Sequence, residues 1–273
     1  MSTAEITSPI DGLKAKLKTT WMAGDYDRFS RYMEQDARAF YERLDVPAGC
    51  QLLDVACGSG QLALCAARDG VDVTGVDIAP NLVQRAQARA KAEGLKARFL
   101  EGDAEALPFE DASFDVVTSL IGAMFAPRPE LVASELLRVC SPGGTIAMAN
   151  WTPEGFVGQM FKTFAKFIAP SGMPAPVLWG DPTVVRQRLG HGVSSLTTKR
   201  CNYSMNYPFS PAEVVEFFGQ YYGPTNRAFA SLDQEAAARL REELTALWSE
   251  HDRGGEGMTV VQAEYLEVVA TRA

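Results

Sequence analysis

The pattern of apolar residues between positions 51 and 149 changes repeatedly from that of a strand to that of a helix. Five short apolar or alternating runs predict strands, at 51–55, 71–76, 96–100, 114–119 and 145–149. Helical patterns separate them, at 61–68, 80–93 and 130–139. Strands that alternate with helices form a parallel sheet, because each crossover is right-handed and covers one face. Ligands of such sheets bind at the carboxyl ends of the strands, so functional residues are expected just after each strand.

The segments on either side of this pattern differ from it. Residues 10–44 predict helices, with a break at 23–25. Residues 151–195 contain five prolines among many aromatic residues, and this segment is predicted to be a lid inserted into the sheet domain. The remaining predicted elements are helices at 155–168 and 182–189 within the lid, a strand at 196–205, helices at 211–220 and 233–250, and a strand at 260–270.

Charge and composition argue against several classes of function. The chain has 273 residues and a net charge of −8, which disfavours binding to nucleic-acid phosphates; the three lysines between positions 14 and 18 are predicted to form a solvated helix face. No signal peptide and no run of 18 apolar residues is present, so a cytoplasmic protein without a membrane span is expected. Five cysteines without a C-x-x-C pair suit a reducing compartment. Two distant histidines, His191 and His251, predict no metal site.

The stretch Leu52–Gln61, LLDVACGSGQ, places small residues where the first strand passes to a helix. Glycine lets backbone N–H groups approach a ligand there, and the helix N-terminus adds a partial positive charge. One interpretation is the dinucleotide fingerprint G-x-G-x-x-A, formed by Gly58, Gly60 and Ala63. The other is D-x-A-x-G-x-G, in which Asp54 ends the strand. An aspartate would repel a pyrophosphate but attract a cationic amino group, which favours the second interpretation.

Two further acidic residues follow the second and third predicted strands. Asp77 is placed to accept hydrogen bonds from both hydroxyls of a ribose, as in any adenosine ligand. Asp103, in the stretch EGDAEALPF, is placed where an adenine amino group could donate to it. The ends of the first three strands would then recognise an amino acid, a ribose and an adenine. These are the parts of S-adenosylmethionine.

With these motifs the sequence resembles the class I S-adenosylmethionine-dependent methyltransferases, specifically the type 11 domain of their small-molecule branch. Over about residues 40–150 the resemblance is carried by four motifs in order, LLDVACGSG, VTGVDIAP, FLEGDAEALPFEDASFDVV and ELLRVCSPGG. It implies an α/β fold with a Rossmann-like, doubly wound sheet of seven strands, the last antiparallel, into which the predicted helical lid is inserted. It also implies S-adenosylmethionine as the cofactor. The sequence departs from the family at Ala56, where glycine is usual.

The resemblance further implies which residues form the cofactor site. Those implied around the methionine part are Tyr26, Asp54, Ala56, Gly58 and Gly60, with Asp77 and Ile78 at the ribose, Asp103 and Ala104 at the adenine, and Ser119 on the floor near the methyl group. The implied division of the chain is cap helices at 1–45, a cofactor-binding core at 46–150, the lid at 151–195, and strands and helices at 196–273 that complete the sheet.

The residues after the fourth strand and in the predicted lid are largely apolar, which predicts a small, largely apolar methyl acceptor. Candidate residues for binding it are Met124, Trp151, Met160 and Trp179. For the two tryptophans, a place in the core of the lid is an equal alternative. No catalytic base can be named from the sequence, and the oligomeric state stays open. Two other functions also stay open, a nicotinamide-dependent oxidoreductase and a protein that binds the cofactor without catalysis.

Overall fold

The part of the chain that the computed structural model describes, residues 8–170 and 172–273, contains seven strands. In chain order they are β1 Gln51–Val55, β2 Asp72–Asp77, β3 Ala97–Glu101, β4 Phe114–Leu120, β5 Cys140–Trp151, β6 Val193–Tyr207 and β7 Thr259–Arg272. They form one sheet in the order β3-β2-β1-β4-β5-β7-β6. The pairs among the first five strands are parallel, whereas β7 is antiparallel to both β5 and β6. The predicted α/β sheet with an antiparallel last strand is confirmed.

Eleven α-helices lie in the same described residues. They are α1 Pro9–Trp21, α2 Tyr26–Ser30, α3 Glu34–Glu42, α4 Gln61–Arg68, α5 Pro80–Ala92, α6 Pro129–Val139, α7 Phe156–Ala165, α8 Pro182–Leu189, α9 Pro211–Tyr221, α10 Gly223–Ala230 and α11 Gln234–His251. Six of them have proline in the first turn, where its fixed φ suits a helix and its missing N–H costs nothing.

The observed elements differ from the predicted ones at the start of β5 and between β6 and β7, and they agree at the break in the N-terminal segment. Strand β5 begins at Cys140, five residues before the prediction, because its pairing with β4 shifts between Phe114 and Val116 and accommodates the loop-like sequence SPGG. Three helices, not two, separate β6 from β7, since Pro224 starts the additional helix α10. In the N-terminal segment the predicted break is present at Gly24, which has a φ of 71° and lies against the backbone of Tyr221.

The first strand lies in the middle of the sheet and is covered on both faces. Leu52, Leu53 and Val55 have no exposed surface, which explains the continuous apolar run of β1. Helix α4 packs against α3 on one side of the strand end. Asp115 at the start of β4 accepts a hydrogen bond from the backbone N–H of Gln51 at 2.9 Å, so it has a structural role.

The segment between β5 and β6 packs against the rest of the molecule. Helix α7 contacts α11 and β7, and the short 3-10 turn at 176–180 contacts β5. A Cβ atom on Gly180 would lie 2.1 Å from the carbonyl oxygen of Trp151, so the two backbones touch. Trp179, on the same turn, is 1% exposed. Part of the predicted lid is therefore core, while Val157 and Met160 of α7 face a cavity.

Candidate cofactor and acceptor site

A cavity of about 1270 Å³, part of it open to solvent, follows the carboxyl ends of the strands. The part above β3, β2 and β1 is called the acidic end; its wall includes Asp54, Ala56, Gly58, Asp77, Asp103 and Ala104. The part above β4, β5 and β6 is called the aromatic end; its wall includes Phe125, Trp151, Met160, Tyr203, Phe218 and Tyr222. Ile78 lines the cavity beside Asp77. Helices α1 and α2 cover the cavity and contribute Trp21 and Tyr26 to its wall.

The loop after β1 brings backbone close to the space a ligand would fill. Ala56, Gly58 and Gly60 all have positive φ values, of 56°, 55° and 86°. A Cβ atom on Gly58 would lie 3.0 Å from Cε1 of Tyr26, so the ring lies against the loop and leaves no room for a side chain there. Gly60 is the N-cap of α4, which directs the start of that helix toward the loop. The local geometry is that of a cradle for an adjacent ligand.

Asp77, the last residue of β2, supports this loop through its carboxylate. Its Oδ2 accepts a hydrogen bond from the Gly58 N–H at 2.8 Å, and its Oδ1 accepts one from the Ala79 N–H at 2.9 Å. Burial raises the pKa of Asp77 to about 6 in spite of these bonds. Because a carboxylate has about four lone-pair positions, Asp77 can still accept from the hydroxyls of a ligand.

Asp54 is a buried carboxyl group that lacks a cationic partner within the described residues. It is 2% exposed, and its Oδ1 accepts a hydrogen bond from the Thr118 hydroxyl at 3.3 Å. Burial raises the pKa of Asp54 to about 7, and the charge of Asp77 adds to the rise. A ligand with a positive charge would favour the ionised form, whereas a phosphate would oppose it. The site is therefore suited to a cationic ligand and unsuited to a pyrophosphate.

Asp103 belongs to an ion-pair cluster that ties α1 to the sheet. The Lys14 ammonium lies 2.5 Å from Asp103 and 2.6 Å from Glu105, and Arg128 also pairs with Glu105, at 2.7 Å. Lys18 pairs with Glu101 in the same region. The prediction of a solvated lysine face was wrong for Lys14, whose side chain is 17% exposed. No local signal identifies this residue, because Asp103 follows it by 89 positions in the chain.

Four of the predicted site residues lie outside the cavity wall. The Ser119 hydroxyl donates to the Val55 carbonyl oxygen and accepts from the Ala123 N–H, both at 2.9 Å, so both of its hydrogen bonds are made to the protein backbone. Met124 is 2% exposed and points into the core. Trp179 is buried beneath the Arg188 guanidinium, 4.5 Å from the ring centroid. Gly60 is the N-cap residue of α4 and contributes only its backbone.

The aromatic end was only partly predicted. Trp151 and Met160 line it as expected, but Tyr203, Phe218 and Tyr222 were not anticipated. Tyr203 lies on β6, and the other two lie on or just after α9, so the fold collects them from distant parts of the chain. The only available signal was the high aromatic content of these segments.

The described residues also bear on metals and membranes. In residues 8–170 and 172–273, no three His, Cys, Asp or Glu side chains are arranged to hold a metal ion. Within that same part of the chain, no helix is both long enough and apolar enough to cross a membrane.

Comparison with known proteins agrees with the geometry of the cavity. Residues 53–148 match a family model described as a methyltransferase domain. The Mycobacterium tuberculosis protein Rv1405c is 37% identical over 265 residues, which are 95% of each chain. Demethylmenaquinone methyltransferase from Thermus thermophilus is 34% identical over 158 residues, 55% of this chain and 72% of the relative. The structure of YcgJ from Bacillus subtilis has a TM-score of 0.62 at 18% identity, covering 87% of this chain and 98% of the other.

The residues at the acidic end fit the cofactor of this family. The backbone of Gly58 lines the cavity, and the buried Asp54 carboxyl would be stabilised by a cationic amino group. The strand-end carboxylate of Asp77 has free lone pairs for ribose hydroxyls. The oxidoreductase alternative is set aside, since Asp54 opposes a pyrophosphate and the matched model is a methyltransferase. The chain belongs to the class I S-adenosylmethionine-dependent methyltransferases, and it is an enzyme whose cofactor is S-adenosylmethionine.

Proposed function

We propose that this enzyme transfers a methyl group from S-adenosylmethionine to a small, largely apolar molecule bound at the aromatic end. The observation that carries the proposal is the continuity of the cavity, which joins the loop at Gly58 to a wall of aromatic side chains. Such a wall excludes water and offers a large apolar surface to a ligand. The Thermus thermophilus relative is named for demethylmenaquinone as its acceptor, which is in keeping with the proposal.

The cofactor would supply an activated methyl group on a sulfonium. In this proposal the Asp54 carboxylate holds the cationic amino group, and Asp77 accepts hydrogen bonds from the ribose hydroxyls. Asp103 receives the adenine amino group beside Lys14, with Ile78 and Ala104 against the adenosine. Much of the rate enhancement then comes from alignment of the acceptor and from exclusion of water.

The role of the flanking segments is part of the same proposal. Helices α1 and α2, in the predicted cap at 1–45, cover the cavity with Trp21 and Tyr26. Helix α7, in the predicted lid at 151–195, contributes Met160 to the aromatic end. We therefore propose that helices α1 and α2 cover the bound cofactor and that α7 takes part in recognition of the acceptor. A cytoplasmic location remains a prediction from the sequence.

The test uses S-adenosylmethionine that carries a deuterated methyl group. The purified protein is incubated with the lipid-soluble and water-soluble fractions of a bacterial cell extract, and both are analysed by mass spectrometry. We expect a labelled product in the lipid-soluble fraction and much less of it with Asp77→Ala protein at the same subsaturating cofactor concentration. Calorimetry on the same sample is expected to give cofactor dissociation constants of about 1–100 μM, or roughly −5.5 to −8 kcal/mol. Label that appears only in water-soluble products would contradict an apolar acceptor.

A further inference from the structure

The two ends of the cavity differ in the charge that they can accommodate. The three aspartates of the wall all belong to the acidic end, whereas the aromatic end is built from side chains such as Trp151, Met160 and Phe218. Each of these three side chains is 3% exposed, so they face the cavity and the protein interior rather than bulk water. An ion in such a place loses its hydration, which costs several kcal/mol unless an opposite charge lies close to it.

This environment treats anionic and amine acceptors differently. When an anion takes the methyl group from a sulfonium, both charges disappear, so a low dielectric favours the transition state over the separated ions. When a neutral amine takes it, the positive charge moves onto nitrogen inside the aromatic end. Aromatic faces attract cations to some extent, but none of the aspartates of the cavity wall lies at this end to balance the new charge.

Tyr222 gives the aromatic end a neutral hydrogen-bond donor. It is 8% exposed, and its ring stacks on Phe29 at a centroid distance of 4.7 Å and meets Trp21 edge to face at 5.8 Å. Its hydroxyl has no hydrogen-bond partner in the described part of the chain, and burial raises its pKa, so it keeps its proton. By contrast, the Tyr203 hydroxyl in the same wall already donates to the Met33 carbonyl oxygen. An oxygen anion on the ligand would satisfy the Tyr222 O–H group.

We propose, on the basis of the proposed function, that the aromatic end binds a phenol or enol as its oxyanion and that the Tyr222 hydroxyl donates to that oxygen. The acceptor gives its proton to solvent on binding. Its oxygen, or a carbon conjugated with that oxygen, then forms the bond to the methyl carbon. The carbon–sulfur bond breaks and its electron pair stays on sulfur. The methylated acceptor and the thioether product are both neutral.

The experiment measures the ionisation of 4-nitrophenol, whose yellow anion reports its own pKa when bound. The protein is first saturated with sinefungin, which carries an amine cation in place of the sulfonium, or with S-adenosylhomocysteine, which is neutral there. We expect the pKa of bound 4-nitrophenol to be about one unit lower with sinefungin, a tenfold preference for the anion. We expect Tyr222→Phe to raise that pKa by a similar amount.

Tyr207→Phe is the matched control for the Tyr222 variant. Tyr207 belongs to the same aromatic cluster, with its ring centroid 5.8 Å from that of Phe218, but its buried hydroxyl lies outside the cavity wall and has no partner in the described residues. Its removal is expected to leave the pKa of bound 4-nitrophenol unchanged. Melting curves with sinefungin present verify that both variants are folded.

Several results would overturn the assignment. One is an equal pKa of 4-nitrophenol with the two cofactor analogues, and another is no response to Tyr222→Phe. A third is tighter binding of 4-nitroaniline, which has the same shape, than of ionised 4-nitrophenol. Failure of 4-nitrophenol to bind while sinefungin binds counts against it as well. If neither sinefungin nor S-adenosylmethionine binds in calorimetry, the fault lies with the cofactor site and the proposed function, not with the acceptor class.

Discussion

The acidic and aromatic ends of the cavity are built in opposite ways. The acidic end takes its main residues from three neighbouring strand ends, between Asp54 and Ala104, with their backbones placed by the parallel sheet. The aromatic end draws on side chains from Phe125 to Tyr222, carried by helices and strands that meet only in the folded chain. One end depends on local backbone geometry and the other on long-range packing. Substitutions at the two ends should therefore have different consequences.

The largest expected effect tests the support of the aromatic end. Trp179 is 1% exposed and lies on the turn that touches the backbone of Trp151. Replacement by alanine should destabilise the protein by about 3–5 kcal/mol. At about 2–4 °C per kcal/mol, the melting temperature should fall by roughly 10 °C.

Cofactor affinity separates this effect from damage to the acidic end. In the Trp179→Ala protein, measured well below its melting temperature, the dissociation constant should stay within about threefold because the two regions share few contacts. Trp179→Phe retains an aromatic ring and should lose much less stability. A Trp179→Ala protein with unchanged melting and impaired methyl transfer would place the residue in the acceptor wall instead.

The second prediction concerns Asp77 at the acidic end. Its carboxylate holds the loop N–H of Gly58 and is proposed to bind the ribose. Asp77→Ala removes charge-assisted hydrogen bonds worth about 1.5–3 kcal/mol, so cofactor affinity measured by calorimetry should fall about 10- to 100-fold. Asp77→Asn keeps one oxygen for the loop and should lose less. If the alanine variant binds the cofactor as tightly as the parent protein, Asp77 stabilises the loop at Gly58 but does not bind the ribose.

The third prediction is a pH dependence of cofactor binding that originates at Asp54. Its pKa of about 7 in the folded protein means that the carboxyl is largely protonated at lower pH. Because a cationic amino group binds the ionised form, affinity should rise with pH, by at most tenfold per unit, and level off above about 7. Calorimetry across this range checks the slope. Asp54→Asn should flatten it near neutral pH, and an unchanged slope would assign it to another group.

The raised pKa of Asp54 also makes the free energy of unfolding depend on pH. This free energy should decrease as pH rises, whereas cofactor affinity should increase. The unfolded chain releases the Asp54 proton near 3.8, whereas the folded protein retains it up to about 7. The folded state therefore binds more protons in this range, and the free energy of unfolding without cofactor should decrease as pH rises through it. Denaturant unfolding of the parent protein and Asp54→Asn checks this, because the variant should lose part of the decrease.

The smallest effect is expected at Ala56. This residue has a φ of 56°, a conformation that costs an L-residue about 1–2 kcal/mol and costs glycine almost nothing. Glycine also gains freedom in the unfolded chain, which offsets about 0.5–1 kcal/mol. Ala56→Gly should therefore stabilise the protein by at most about 1 kcal/mol in denaturant unfolding, with cofactor affinity changed by less than about threefold. A clear loss of stability would show that the Ala56 methyl group contributes to packing against Gly122.

The sequence by itself determined the sheet and the acidic end of the cavity. The apolar runs predicted the strands, and the order of a parallel sheet brings together residues at or just after the carboxyl ends of those strands, as it does for Asp54, Asp77 and Asp103. Such residues can be located from the sequence because their position depends on one local event, the end of a strand. Ser119 lies near the end of β4, but its hydroxyl donates to the Val55 carbonyl oxygen and the residue does not line the cavity.

Only the tertiary structure decided which side chains form the aromatic end and the cover over the acidic end. Lys14 pairs with Asp103 because α1 crosses the sheet edge, and Tyr222 reaches the cavity because α9 packs against α2. Trp151 and Trp179 looked equivalent in the sequence, yet one lines the cavity and the other lies behind it. Both are apolar and both are buried, so hydrophobicity cannot separate them. What separates them is the direction in which each backbone presents its side chain, and that direction is set by contacts between segments distant in the chain.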